Sequence, residues 1–207
     1  MQVKVVHPSN RWNFSKHLME MHHHRKQVFV DTLGWQLAFR GSWLEVDQFD
    51  DDFAVYIMVV SADDRHLGSV RLLPTTRPHM LNTIFADLCP EGAPNGEAIW
   101  EISRFVAAPD RGRGTNSVRV HRLLAAALAE FALLNRIDRY TLVAESRRMP
   151  ALLSVGWSVL PLSLPISKGG QPVEAMEILM DEASIRGMGQ RIAMPSVSVL
   201  HEQRSVA

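Results

Sequence analysis

The sequence has almost no cysteine and no long hydrophobic run. Its 207 residues include one cysteine, Cys89, which rules out an internal disulfide and indicates a reducing compartment. No segment approaches the roughly 20 consecutive apolar residues of a membrane span. The first residues, MQVKVVHPSNRWNF, lack the apolar core of a signal peptide. We therefore expect a cytoplasmic protein that has no membrane partner.

The chain also lacks net charge, because 22 basic side chains offset 22 acidic ones. This balance argues neither for nor against nucleic acid binding, and we expect no nucleic acid partner. The charges are nevertheless unevenly distributed: residues 45–64 carry seven acidic side chains and no Lys or Arg, and residues 111–148 carry eight arginines. An acidic segment suits a cationic small molecule, and a basic one suits a phosphorylated or acidic partner. Two solvated faces are the alternative.

Hydrophobic periodicity predicts alternating strands and helices. Apolar residues at helical spacing predict a helix from Lys16 to Leu33, ended by Gly34. The sequence further predicts a hairpin over 53–74, an irregular connection over 74–98 with one helical turn at 84–88, strands IWEISRFVA, YTLVAE and VEAMEILM, a helix over 116–135, and a short helix ended by Gly156. This order predicts an α/β fold: a single-domain, three-layer α/β/α sandwich around a mixed twisted sheet.

A glycine-bearing loop precedes the long predicted helix. In PDRGRGTNSVRVH, residues 109–121, backbone N–H groups at the helix start could hold phosphate oxygens, and Arg111 and Arg113 would add positive charge. The spacing of Arg111 and Gly114 partly resembles the coenzyme A loop of GNAT acyltransferases, although Asn116 replaces the last glycine. A plain loop-to-helix transition explains the segment equally well.

Two other features do not predict catalytic chemistry. Three consecutive histidines, His22 to His24, point about 100° apart on a helix and cannot converge on one metal ion, so we expect no metal site. Ser103 lacks a GxSxG context and an obvious partner histidine. We interpret it as a hydroxyl that lines a site or supports the structure.

Glu101 lies in the apolar strand IWEISRFVA. On a strand, Glu101 and Ser103 share one face, whereas Ile102 and Arg104 share the other, so the two charges need not pair. A carboxylate in such a place must be solvated, paired or used as a base. From these residues alone, a structural ion pair and a catalytic role remain equally open.

Four sequence blocks between residues 25 and 104 together resemble the LuxI family of acyl-homoserine-lactone synthases. The blocks are RKQVFVDTLGW, EVDQFDDD, GSVRLLPTTRPHML and IWEISRF, and the eight matching positions are Arg25, Phe29, Trp35, Asp47, Asp50, Arg71, Glu101 and Arg104. The resemblance is looser beyond residue 104. It implies a GNAT-like fold, with an autoinducer synthase domain over 1–186 and a C-terminal tail over 187–207.

The resemblance implies an acyltransferase that makes a quorum-sensing signal. In this family the amine of S-adenosylmethionine attacks the thioester of an acyl carrier protein or, in some members, of coenzyme A. The carboxylate of S-adenosylmethionine then closes the lactone and displaces methylthioadenosine. The family needs no metal or redox cofactor.

The resemblance also implies roles for individual residues. Glu101 is the expected base for the attacking amine, with Arg104 and Ser103 beside it. Residues expected to bind S-adenosylmethionine are Arg25, Phe29, Trp35, Asp47, Asp50 and Arg71. Thr141 falls where some members have a threonine associated with 3-oxo chains, and with Met149, Leu152 and Trp157 it either lines an acyl pocket or belongs to the ordinary core. Arg111, Arg113, Arg147 and Arg148 are expected to dock the acyl donor.

Two other functions fit parts of the sequence. A GNAT-type N-acyltransferase that uses acyl-coenzyme A on another amine explains the 109–121 loop, but it has no need of the blocks at 25–35 and 45–52. A module that binds S-adenosylmethionine or an acyl thioester without turnover is the second alternative. The presence of Glu101 with all three matching arginines argues against it.

Overall fold

The computed structural model describes residues 1–35, 43–109, 115–192 and 200. Within these ranges, no helix is long and apolar enough to cross a membrane. The described residues form two compact units. The first takes its residues from Met1–Arg71, Arg104–Ala127 and Ser198–Ala207, and the second from Leu72–Ser103 and Leu128–Val197.

Within the part of the chain that the structure describes, eight strands form a mixed sheet. They are β1 (Gln2–Val6), β2 (Val55–Val60), β3 (His66–Pro74), β4 (Ile99–Ala107), β5 (Arg139–Glu145), β6 (Ser158–Pro161), β7 (Ile166–Lys168) and β8 (Gln171–Leu179). The order is β1-β2-β3-β4-β5-β8-β6, with β7 paired to β8. Strand β4 runs parallel to β5, whereas β1 is antiparallel to β2 and β8 is antiparallel to β5, β6 and β7. The predicted α/β class with a mixed sheet is confirmed.

The described residues also form four α-helices: α1 (Ser15–Arg25), α2 (Thr115–Asn135), α3 (Met149–Ser154) and α4 (Glu182–Ile192). The predicted helix from Lys16 to Leu33 is confirmed as α1 continued by a π-helix, Lys26–Thr32. Gly34 follows with φ +71°, a left-handed conformation that glycine adopts at low cost and that ends the helix. The predicted turn at 84–88 is a 3₁₀ helix, Ala86–Leu88.

Sequence periodicity did not predict β1, β6, β7 or α4. The strands are three to five residues long, and β6 ends in proline, so none gives a long alternating pattern. Helix α4 contains Gly187 and Gly189, which weaken the helical signal. It extends across residue 187, where the sequence analysis placed the start of a tail, and the domain limits stay a prediction.

In the second unit, the two sides of the strands carry different kinds of side chain. On one side, the Tyr140 hydroxyl donates to the carbonyl of Leu128 at 2.9 Å, and Trp100 packs edge-on against Phe131 of α2. The opposite side bears Glu101, Thr141 and Glu177, which are direct partners in the registers of β4 with β5 and of β5 with β8. Partners in register project from the same side of a sheet. We call these three residues the polar row.

Candidate active site

Among the described residues of the first unit, six charged side chains form one ion-pair network, five of them buried and one, Asp47, partly exposed. The network contains Arg25, Glu45, Asp47, Asp50, Arg71 and Arg104. At the end of α1, Arg25 donates through Nε to Glu45 at 2.5 Å and through both terminal nitrogens to Asp50 at 2.7 and 2.9 Å. This bidentate geometry fixes the guanidinium as well as neutralising it.

The two strand arginines complete the network. Arg71 of β3 donates to both carboxylate oxygens of Asp47, at 2.6 and 3.1 Å. Arg104 of β4 contacts Glu45 at 3.0 Å and Asp47 at 2.5 Å. Three guanidinium groups therefore face three carboxylates, a balance that buried ions require.

The network shifts the pKa values of its members. Burial alone would raise the pKa of Asp50, but the Arg25 guanidinium outweighs it and holds this pKa far below the usual range. Burial would also raise the pKa values of Glu45 and Asp47, but pairing with the arginines outweighs it and lowers both. The three carboxylates are therefore charged at neutral pH.

Arg104 occupies an unfavourable position within the network. Its φ of +52° is left-handed although it lies in a strand, and such backbone costs on the order of 1–3 kcal/mol. Burial lowers its pKa, Glu45 raises it, and Arg71 lowers it again, with a net lowering. Strain and perturbed ionisation are both typical of functional positions.

Two aromatic rings lie against Arg104. Phe29, from the π-helix, stacks on Trp35 with ring centroids 4.6 Å apart and planes 25° apart. The Arg104 guanidinium carbon is 5.6 Å from the Phe29 centroid and 5.5 Å from that of Trp35, within cation–π range. The first unit thus brings together all of the eight matching positions except Glu101. These seven residues are Arg25, Phe29, Trp35, Asp47, Asp50, Arg71 and Arg104.

Sequence reasoning missed two members of this group. Glu45, which bridges Arg25 and Arg104, was counted only within an acidic run. Counting charges gave no signal for it, because the matching positions already contain three carboxylates, with Glu101, against three arginines. Tyr56, whose hydroxyl donates to Asp50 at 2.8 Å, gave no signal because its β2 neighbours are uniformly apolar.

In the second unit, the carboxylate of Glu101 is buried and held by backbone amides. Its Oε1 accepts the N–H of Met80 at 2.9 Å, and its Oε2 accepts the N–H of Leu81 at 2.7 Å. Two amide donors suit an acceptor-only carboxylate, and each oxygen has a second lone pair. Met80 and Leu81 belong to the connection between β3 and β4. Asp87, in the same connection, forms an ion pair with Lys168 at 2.9 Å.

The residues predicted to form an acyl pocket occupy varied surroundings. Thr141 of the polar row is fully buried. Met149 and Leu152 are half-buried on α3, and Trp157 is buried, with its Nε1–H donating to the Met188 sulfur at 2.7 Å. Their role as pocket lining stays a prediction.

The predicted docking arginines are only partly covered by the described residues. Arg147 and Arg148 are exposed on the 3₁₀ helix Ser146–Arg148, and Arg147 pairs with Glu145. Arg111 and Arg113 lie outside the described residues. The docking role of all four stays a prediction.

The three consecutive histidines have three different partners. His22 contacts the Glu45 carbonyl at 2.7 Å, His23 the Trp43 carbonyl at 3.1 Å, and His24 the Nδ1 of His66 at 2.8 Å. The three side chains therefore make separate contacts within the first unit. Across the described ranges, no group of three or more His, Cys, Asp or Glu residues is placed to hold a metal ion. Ser103 is half-buried on β4.

Comparison with known proteins places these residues in a family context. The family model described as autoinducer synthase matches residues 10–188. An acyl-homoserine-lactone synthase from Ralstonia nicotianae is 34% identical over 182 residues, covering 86% of this chain and 87% of that protein.

Solved structures show the same relationship. The structure of a CoA-dependent acyl-homoserine lactone synthase, BjaI, with SAM and isopentyl-CoA superposes with a TM-score of 0.86 at 28% identity, covering 97% of this chain and 92% of that one. A putative N-acetyltransferase from Lactobacillus plantarum has a TM-score of 0.57 at 19% identity, covering 87% of this chain and 100% of that one. The latter likeness concerns the fold alone and agrees with the expected GNAT-like architecture.

Proposed function

Because the chain belongs to the autoinducer synthase family, we propose that it is an acyl-homoserine-lactone synthase acting on S-adenosylmethionine and an acyl thioester. The observation that carries this proposal is the family match over residues 10–188, within which seven of the eight matching positions gather around one buried ion-pair network. A general N-acyltransferase has no need of such a network.

The network supports a binding site for S-adenosylmethionine, whose sulfonium and ammonium groups are positive. The Asp47 side chain is 19% exposed, against 2% for Asp50 and Glu45, so Asp47 is the network carboxylate best placed to meet a cation. The Phe29–Trp35 stack offers an aromatic surface for the sulfonium or the adenine. Arg25, Asp50 and Arg71 hold Asp47 and the network in place.

Glu101 is the proposed base. It removes a proton, directly or through water, from the ammonium of S-adenosylmethionine, and the free amine attacks the thioester carbonyl. An amide bond forms, the C–S bond breaks and the thiol leaves. The substrate carboxylate then attacks its own γ-carbon, which closes the lactone and releases methylthioadenosine. The Met80 and Leu81 amides keep the Glu101 carboxylate in one orientation throughout.

The acyl donor is proposed to be acyl-coenzyme A, with acyl carrier protein as the alternative carrier. The likeness to a CoA-dependent synthase with a TM-score of 0.86 supports the former, and exposed Arg147 and Arg148 suit either. The proposed reaction uses no metal or redox cofactor. A cytoplasmic location is part of the proposal and is supported by the single cysteine.

The decisive experiment is mass spectrometry of the products formed by purified protein, S-adenosylmethionine and a panel of acyl groups. Each acyl group is offered both on coenzyme A and on acyl carrier protein. An N-acyl-homoserine lactone with an equal amount of methylthioadenosine is the expected result, and the faster carrier identifies the donor. Release of coenzyme A only with a different amine, and without lactone, would instead establish the N-acyltransferase.

A further inference from the structure

We propose that Glu177, together with Thr141, forms a specificity site that binds a hydroxyl group on the acyl chain close to the thioester. This inference rests on the proposed function. Neither the sequence pattern nor the family positions include Glu177, whose position in the polar row emerges only from the strand register.

The register places the two side chains next to each other. Thr141 of β5 is the direct antiparallel partner of Glu177 of β8, so both project from the same side of the sheet. Both are removed from solvent, with exposures of 0% for Thr141 and 5% for Glu177. Arg139 balances the charge of Glu177 at 3.2 Å.

Each of the two side chains has a buried polar atom that makes no hydrogen bond to the described residues, although the one on Glu177 is within ion-pair distance of Arg139. These atoms are Thr141 Oγ1 and Glu177 Oε1. Buried polar atoms in this condition are costly unless a ligand or water completes them. Two such atoms on directly opposed residues are the observation from which we infer a small polar subsite, called here the slot.

The chemistry of the slot selects a hydroxyl. A carboxylate oxygen only accepts hydrogen bonds, whereas the threonine hydroxyl donates one and accepts others. A hydroxyl on the ligand donates to Glu177 and accepts from Thr141, which completes both atoms. A keto oxygen also accepts from Thr141 but leaves two acceptors facing each other, and a methylene group completes neither.

The surroundings of the row suit an acyl chain. The same side of β5 and β8 bears Val143, Val173 and Ala175, which pack with Leu81 and Leu88 in an apolar cluster. Cys89 packs against this cluster, and burial followed by the Glu177 charge raises the pKa of its thiol. The thiol therefore stays protonated at neutral pH and offers no competing nucleophile.

The position of Thr141 relative to Glu101 sets the place of the hydroxyl on the acyl chain. Thr141 is also the direct partner of Glu101, and neighbouring strands lie about 4.8 Å apart. If Glu101 is next to the reacting amine, a group that reaches Thr141 is two or three carbons from the thioester carbonyl. A 3-hydroxyacyl donor meets this requirement.

The test compares three acyl-coenzyme A donors of equal length, unsubstituted, 3-oxo and 3-hydroxy, by kcat/KM for lactone formation. We expect the 3-hydroxy donor to exceed the unsubstituted one by at least about tenfold. In Glu177→Met and Thr141→Val, this ratio is expected to fall towards one. Glu174→Met is the matched control, because Glu174 lies on the same strand with its side chain on the opposite side, and it should keep the wild-type ratio.

A binding measurement separates this inference from the proposed function. The three donors are titrated calorimetrically against wild type, Glu177→Met and Thr141→Val without S-adenosylmethionine, after melting curves have shown that each variant is folded. Tighter binding of the 3-hydroxy donor that is lost in both variants supports the slot even if no lactone forms. Equal affinities in wild type, or a preference retained in Glu177→Met, would overturn it.

Discussion

Charge balance decides the role of individual residues in the buried network. Glu45 is the clearest case, because it contacts Arg25 and Arg104 and is almost fully buried. Removing one partner from a buried ion pair leaves a charge that neither water nor protein compensates. Glu45 therefore contributes to the proposed substrate site by keeping the two arginines in place.

We expect Glu45→Gln to lower the free energy of unfolding by about 3–5 kcal/mol. Asp52→Asn is the matched control. The Asp52 side chain is 96% exposed and lies 3.8 Å from Arg11, so its loss should cost less than about 1 kcal/mol. Urea denaturation of the three proteins measures both values, and equal stabilities of the two variants would contradict the role given to Glu45.

The base assignment gives a second prediction at the residue scale. In Glu101→Gln the size of the side chain is kept, but the proton acceptor is lost, so kcat should fall by a factor of about 10²–10⁴. Glu97→Gln, at an exposed position four residues earlier, should leave kcat unchanged.

Steady-state kinetics with saturating S-adenosylmethionine measures the effect of Glu101→Gln, and calorimetry shows whether the variant still binds this substrate. Wild-type kcat in Glu101→Gln would assign the base to another group. Loss of binding with unchanged kcat would make Glu101 a positioning residue for S-adenosylmethionine.

At the scale of the elements, close backbone approach determines how α4 is placed in the second unit. A Cβ at Gly187 would lie 2.3 Å from the carbonyl oxygen of Gly156, and Gly156 itself has φ +93°. The same helix contains Gly189, where an added Cβ meets nothing within 4 Å. Only one of the two helical glycines is therefore required by packing.

The two glycines should respond in opposite directions to alanine. Gly187→Ala forces α4 away from Gly156 and should destabilise the protein by about 1–3 kcal/mol. Gly189→Ala improves helix propensity and should stabilise it by about 0.5–1 kcal/mol. Thermal unfolding of both variants measures the two stability changes. A Gly187→Ala protein as stable as wild type would show that the close approach of Gly187 to Gly156 is not required.

For the whole molecule, acid stability depends on a buried histidine as well as on the ion-pair network. Burial, followed by the charge of His24, lowers the pKa of His66 to about 3. His66 Nδ1 lies 2.8 Å from that of His24, and its backbone N–H donates to Glu20 at 2.8 Å. Between pH 6.5 and 3 the unfolded chain therefore binds a proton here that the folded protein does not.

As the pH falls below 6.5, this difference in proton binding at His66 lowers the free energy of unfolding by up to about 1.4 kcal/mol per pH unit. The network carboxylates, whose pKa values are lowered, lose their contribution only below about pH 4. His66→Gln should flatten the stability curve between pH 4.5 and 6.5.

Urea unfolding of wild type and His66→Gln at several pH values checks this expectation. The two curves should run parallel above pH 7.5, where His66 is neutral in both the folded and the unfolded state, so this range is an internal control. Parallel curves between pH 4.5 and 6.5 as well would show that His66 does not set the acid response.

The sequence predicted the elements whose periodicity is long and the site residues whose chemistry is distinctive. Helix α2, the hairpin of β2 and β3, and strand β4 were predicted because each buries a regular set of side chains. Arg25, Asp47, Asp50, Arg71 and Arg104 were selected together, and they do meet in one network. Short β1, β6 and β7 offered too few residues for a pattern.

By itself, then, the sequence determined the fold class, the family and the demand for charge compensation, because side-chain type and spacing are local properties. The tertiary structure alone decided that Glu45 is the third carboxylate, that the Met80 and Leu81 amides hold Glu101, and that Glu177 opposes Thr141. Backbone amides are nearly identical at every residue, and strand register depends on the path of the whole chain. Neither leaves a signal in the local sequence.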